Sequence, residues 1–203
     1  GASLWGANAV NGVINIITKS AAETQGNLTS VTVGTSDRAI ASERYGGAFG
    51  ENGHYRVYGK TLDRADNKSP AGLNAADGQE AQRGGFRADW KGEENSSFTA
   101  QGDIYESNTG QRRNIPLFTA PFIALNTEEN IDARGGNMLG RWTQHRSDGS
   151  RLTLQSYIDY TAREQAFVND RRTSFDVDGE WELPQQERHN LIMGGRYRLP
   201  APA

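Results

Sequence analysis

Cysteine is absent from the 203 residues, and no long apolar run occurs. Without cysteine the chain has no disulfide, no thiolate nucleophile and no cysteine ligands for zinc. The lack of roughly eighteen consecutive apolar residues excludes a transmembrane helix, but a membrane β-barrel stays open because its strands only alternate. Lys and Arg number 22 against 25 Asp and Glu, with both signs mixed, so we expect no nucleic-acid partner.

The composition is poor in apolar residues and rich in glycine. Hydrophobic residues make up 35% of the chain, and 24 residues are glycine. Mean hydropathy is -0.74. These values fit either disorder or an all-β chain whose apolar residues alternate with polar ones. Four Trp, seven Tyr and seven Phe with a net charge of only -3 argue against disorder, so the composition favours strands.

Alternating polar and apolar residues begin after residue 25. The segment 151–163 is the clearest, with Leu152, Leu154 and Ile158 on one parity and polar residues on the other. Such patterning predicts strands with one apolar and one polar face. Nine strands are predicted, at 26–35, 38–50, 54–65, 80–91, 97–108, 131–145, 151–163, 172–183 and 189–199.

The predicted connections alternate in length. Those at 51–53, 92–96, 146–150 and 184–188 are short, and those at 66–79, 109–130 and 164–171 are longer. This alternation is typical of an up-and-down antiparallel barrel in the outer membrane. Aromatic residues near strand ends fit the rings that such barrels place at membrane interfaces: Phe49, Trp90, Phe98, Trp142 and Trp181. A soluble all-β domain with one solvated face per strand is the alternative.

The last hairpin has a register that matches both faces at once. In this register Asp176 faces Arg196, Phe175 faces Tyr197 and Trp181 faces Leu191. These cross-strand pairs are expected to fix the register, because a slip by one residue would move acidic side chains to the apolar face.

The first nineteen residues do not follow this alternation. Gly6–Gly12 is rich in small residues, and Val13–Thr18 is a short β-branched run compatible with burial on both sides. The run closely resembles the end of the plug domain of TonB-dependent outer-membrane receptors. The matching residues are Leu4, Trp5, Gly6, Ala9, Gly12, Val13, Ile14, Asn15, Ile16, Ile17, Thr18 and Lys19.

The resemblance implies a domain organisation. Residues 1–20 would end the plug, 21–25 would form a plug-to-barrel hinge, and 26–203 would be the N-terminal part of the transmembrane β-barrel. Members of the family close about 22 strands around a plugged lumen, so we expect this chain to be an internal piece. A signal peptide, the TonB box and the earlier plug are then expected upstream.

The resemblance also implies a function. Such receptors lie in the bacterial outer membrane, in contact with its lipid. They take up a scarce ligand through a plug rearrangement that the inner-membrane TonB complex drives with the proton gradient. A metal chelate such as a ferric siderophore is the first expectation for the ligand, with cobalamin or a glycan as alternatives.

Ligand contacts are expected in the longer connections, if these are extracellular. Arginine offers bidentate donors to the carboxylate or catecholate oxygens of an anionic iron chelate, and aromatic rings add apolar contact. The candidates are Arg112, Arg113, Phe118, Phe122, Arg171 and Arg172.

No residue pattern indicates catalysis, a metal or a cofactor. Gly6–Gly12 lacks the spacing and the lysine of a phosphate-binding loop, and no Gly-x-Ser-x-Gly elbow occurs. His54, His145 and His189 lie in separate segments without the spacing of metal ligands. We therefore predict a protein that is not an enzyme and has no cofactor. A passive porin-like barrel and a soluble β-rich binding module remain the alternative functions.

Overall fold

Nine antiparallel strands form one sheet in the computed structural model, which describes residues 16–70, 72–116, 118–119, 124–166, 168–184 and 189–202. A short 3-10 helix, Ala22–Thr24, comes first. The strands are β1 Gly26–Val33, β2 Asp37–Phe49, β3 Gly53–Arg64, β4 Gln79–Lys91, β5 Ser96–Pro116, β6 Ala124–His145, β7 Arg151–Gln165, β8 Val168–Glu182 and β9 Ile192–Pro202.

The sheet order follows the chain order from β1 to β9. This confirms the predicted all-β, up-and-down antiparallel architecture and is consistent with part of a barrel. No helix among the described residues is long and apolar enough to cross a membrane. The predicted plug-end residues from Leu4 to Asn15 lie outside the described residues.

The strand register divides the sheet into two faces. Ile158 is opposite Met138 on one side and Phe175 on the other, whereas the next residue, Tyr157, is opposite Leu139 and Asp176. We name the first side the apolar face and the second the polar face. Buried hydrophobic residues in the described chain are limited to Ala21 and Ala162, so no second layer covers the apolar face there. Large exposed side chains on this face include Val57, Phe86, Ile104, Met138, Leu154, Ile158, Phe175, Trp181 and Leu199.

Two connections differ from the sequence prediction. Strands β5 and β6 reach Pro116 and Ala124, so the predicted loop 109–130 shrinks to 117–123. Strands β7 and β8 likewise leave only residues 166 and 167 between them, and the predicted longer connection at 164–171 was wrong. In both places the strands carry polar residues on both faces, so their sequence shows no alternation.

The register of the last hairpin was also wrong, by two residues. Asp176 lies opposite Arg198 instead of Arg196, and Phe175 lies opposite Leu199. A shift of two keeps every side chain on its predicted face, which is why the face pattern alone could not determine it.

The connection between β3 and β4, residues 65–78, is held by its own side chains. Asp77 accepts hydrogen bonds from the backbone and side-chain nitrogens of Asn67, at 2.7 and 2.8 Å. Asp66 accepts from the side chain of Asn74 at 2.9 Å and from the backbone of Gly78 at 2.6 Å. These bonds lower the pKa of both carboxyl groups below the ordinary aspartate value.

The order of this connection should depend on pH. A depressed carboxyl pKa contributes stability that is present above the ordinary aspartate pKa and is lost as pH falls through the lowered value. We expect the amide protons of Asn67 and Gly78 to lose protection from exchange as pH falls below about 4, the ordinary aspartate value. Amide exchange followed by NMR in lipid nanodiscs would measure this, with Asp66→Ala already unprotected at Gly78 near neutral pH. Protection of both amides that does not change when the two aspartates become protonated would contradict the prediction.

Candidate functional site

A row of aromatic rings crosses the apolar face at the end where β2 turns into β3 and β4 into β5. The rings of Trp90 and Phe98 stack with centroids 4.9 Å apart and planes inclined by 8°. Neighbouring rings continue the row with centroid distances of 6.2 to 6.4 Å, in the order Tyr45, Tyr55, Phe49, Trp90, Phe98 and Trp142. Aromatic rows of this kind lie at the boundary between hydrocarbon and headgroups in membrane barrels.

The apolar face approaches the height of the apolar band, about 25 Å, that outer-membrane barrels expose to lipid. On β7 it runs from Leu152 to Tyr160, about 26 Å along the strand and roughly 20 Å in height at the usual barrel tilt. Further along, the same side of the sheet becomes polar, with Glu106 opposite Arg134 and Asn108 opposite Asp132. Strands β5 and β6 have 21 and 22 residues, about twice what a bilayer requires. The β5–β6 hairpin therefore projects beyond the apolar layer.

The polar face carries ion pairs and hydrogen bonds between strands. Asp176 is 3% exposed and accepts hydrogen bonds from the Nε atoms of Arg196, at 2.8 Å, and Arg198, at 2.9 Å. On β5, Asp103 accepts a hydrogen bond from Tyr58 and pairs with Arg83 at 3.2 Å. Such pairs allow charged residues to line a partly enclosed wall.

A second cluster on the polar face joins the sheet to the residues that precede it. Asp89 on β4 accepts bonds from Arg87 Nε at 2.8 Å and from Thr99 Oγ1 at 2.7 Å. The backbone nitrogen of Ala21 also donates to Asp89, at 2.7 Å. Two of the predicted plug-end residues are in contact here, since Arg87 donates to Thr18 Oγ1 and Arg56 donates to the Lys19 carbonyl.

The structure separates the predicted ligand residues. Arg112 and Arg113 lie on β5 within the projecting hairpin, where Arg112 pairs with Glu128 and Arg113 with Glu129. Arg171 and Arg172 lie on β8, not in a loop, and Arg171 pairs with Glu164 at 3.1 Å. Consecutive strand residues point to opposite faces of the sheet. The two arginines of a neighbouring pair therefore cannot both contact the same ligand.

One aromatic candidate lies at the tip of the β5–β6 hairpin. Phe118 is 87% exposed, and Phe122 lies outside the described residues. Of the remaining plug-end residues, Ile16 and Ile17 are exposed. The alternation along the sequence predicts only that Arg87 and Asp89 lie on the polar face of their strand. The contact of Asp89 with Ala21 joins residues 68 positions apart, and no local pattern signals such a pairing.

Comparison with known proteins gives one partial similarity. No protein-family model matches the chain, and no solved structure matches it. The vitamin B12 transporter BtuB of Vibrio cholerae serotype O1 is similar, in the strains Ogawa 395, M66-2 and El Tor Inaba N16961. Each is 41% identical over 90 residues, which make up 43% of this chain and 14% of the transporter. The matched segment is longer than the run Leu4–Lys19, so most of the matched residues lie outside that run.

Proposed function

We propose that this chain is part of a TonB-dependent receptor of the bacterial outer membrane that imports a scarce ligand. Residues 1–20 end the plug, and the strands from Gly26 onward form the first part of the barrel wall. The observation that carries the proposal is the combination, in one chain, of a plug-end sequence with a sheet of membrane-barrel type. A passive pore has no use for a plug, so the combination favours the receptor over a porin.

The two faces support the membrane location. A single sheet in water would not leave so many large apolar side chains exposed on one side, because a contiguous patch of that size drives association. Lipid is the surrounding that such a face requires, and the aromatic row marks one boundary of the lipid. The polar face, with Asp176 and its two arginines, then lines the barrel lumen.

For the ligand we propose a corrinoid of the cobalamin class ahead of a ferric siderophore. The similar proteins are named as vitamin B12 transporters. An anionic iron chelate would require arginines that are free to bind it, but Arg112 and Arg113 are paired with glutamates. Paired charges attract an anion weakly, whereas a neutral ligand rich in amide groups needs polar side chains such as those of the β5–β6 hairpin.

Binding by the intact receptor tests the ligand assignment. Purified full-length protein should bind cyanocobalamin in equilibrium dialysis, and a ferric catecholate and a ferric hydroxamate siderophore should not compete. Expression in a bacterial host that lacks its own outer-membrane B12 receptor should restore growth on trace cyanocobalamin.

The control for this experiment is the same host carrying the empty vector. Binding of a ferric siderophore without binding of cyanocobalamin would replace the corrinoid by the iron chelate and leave the receptor assignment standing. Growth on cyanocobalamin that is equal with and without the receptor would refute the corrinoid assignment.

A further inference from the structure

We propose that the segment Thr18–Gln25 is a fixed anchor on the lumen wall and not a hinge. Three side chains of the wall, Arg56, Arg87 and Asp89, hold it in place. Movement of the plug must then begin before Thr18. This inference rests on the proposed function, because it takes the residues before Thr18 to be the end of a plug.

The anchor contains two of the few buried residues of the described chain. Ala21 is 0% exposed and Thr24 is 4% exposed, although most of the sheet is open to its surroundings. The Ala21 amide donates to Asp89 Oδ2 at 2.7 Å. Burial and a charge-assisted hydrogen bond at the same residue indicate a packed contact between the segment and the sheet.

Other hydrogen bonds from the sheet orient the Asp89 carboxylate toward this amide. Arg87 binds both of its oxygens, with Nε–Oδ2 at 2.8 Å and Nη2–Oδ1 at 3.0 Å, and Thr99 donates from the neighbouring strand at 2.7 Å. The carboxylate therefore keeps one orientation whether or not the segment is present. Because the wall supplies the other bonds, the Ala21 amide completes a site that the sheet has already built.

The two arginines hold the segment ahead of Ala21. Arg56 Nη1 donates to the Lys19 carbonyl at 2.6 Å, and Arg87 Nη1 donates to Thr18 Oγ1 at 2.9 Å. Together with Asp89, these contacts fix the residues Thr18, Lys19 and Ala21 to strands β3 and β4. A hinge residue must be free to change its backbone angles, which three successive attachments prevent.

Strand β2 contacts the segment at Gly46, which has no side chain. A Cβ atom added to Gly46 would lie 2.2 Å from the Thr24 carbonyl oxygen and 3.0 Å from Gln25 Cα. Only glycine permits this close approach of two backbones. The segment is also braced internally, because Gln25 Nε2 donates to the Ala21 carbonyl at 2.7 Å.

Amide exchange measured on the intact receptor in lipid tests the anchor. Asp89→Ala should speed exchange of the peptide covering Thr18–Gln25 by roughly 10- to 100-fold, the factor expected for the loss of a charge-assisted hydrogen bond. Asp103→Ala is the matched control, because Asp103 also lies on the polar face and pairs with Arg83 and Tyr58. It should leave that peptide unchanged.

Gly46→Ala provides a second, independent variant, since it leaves Asp89 intact and displaces the segment sterically. It should produce the same faster exchange. Exchange in both variants that equals that of the wild type would overturn the anchor. The measurement needs no ligand, so a negative result refutes the anchor and leaves the proposed function in place. If the segment is protected but the protein imports no ligand, the anchor stands and the proposed function is refuted.

Discussion

Replacing Ile158 by arginine is expected to lower the free energy of unfolding in lipid by about 2–4 kcal/mol, the cost of a cation near the middle of a barrel's lipid-facing surface. Ile158 lies on the apolar face between Met138 and Phe175. Urea titration of the intact receptor folded into phospholipid vesicles, followed by tryptophan fluorescence, measures the change.

The neighbouring residue gives the matched control for Ile158→Arg. Tyr157 has the same depth but lies on the polar face, opposite Asp176. Tyr157→Arg should cost much less, because its charge meets water and a carboxylate in the lumen. Equal losses in the two variants would mean that the two faces do not differ in environment, and the membrane orientation would be wrong.

Removing the buried carboxylate of Asp176 is expected to have the second-largest effect. Asp176→Ala leaves Arg196 and Arg198 without their shared partner on the polar face. Since both arginine side chains are about half exposed, at 51% and 53%, we expect a loss of about 1–3 kcal/mol and not the larger cost of a fully buried pair. The same urea titration measures it.

Asp178 provides the comparison for Asp176. It lies two residues along the same face of β8, and no ion pair within 4 Å is found for it in the described part of the chain. Asp178→Ala should therefore change stability by less than about 0.5 kcal/mol. Asp176→Asn should lose most of what Asp176→Ala loses, because the charge and not the shape holds the arginines. A stability of Asp176→Ala within error of Asp178→Ala would show that the ion pairs contribute nothing.

The fold was predictable where a strand has one apolar and one polar face. On β7 and β8 apolar and polar residues alternate along the sequence, and this alternation predicts both the strands and their two faces. Where the β5–β6 hairpin projects beyond the apolar side chains, both of its faces are polar, and nothing requires residues such as Arg112 and Glu128 to alternate with apolar ones. The sequence there consequently predicts a loop instead of strands.

The candidate sites were harder to predict because they depend on contacts between distant residues. In the sequence alone, Arg112 and Arg113 resemble an anion-binding pair. In the structure they are paired with Glu128 and Glu129. The anchor at Ala21 depends on Asp89, a contact that strand alternation cannot reveal. A sequence pattern reports which face a residue occupies, while its partner across the sheet depends on register and turn length.

The dependence of uptake on TonB tests the receptor assignment most directly. Cells that express the intact protein would be given radiolabelled cyanocobalamin, in matched strains with and without the TonB complex. We predict that surface binding is equal in the two strains and that accumulation inside the cell occurs only where TonB is present. Accumulation at the same rate in both strains would contradict an energised receptor and would identify the barrel as a passive pore.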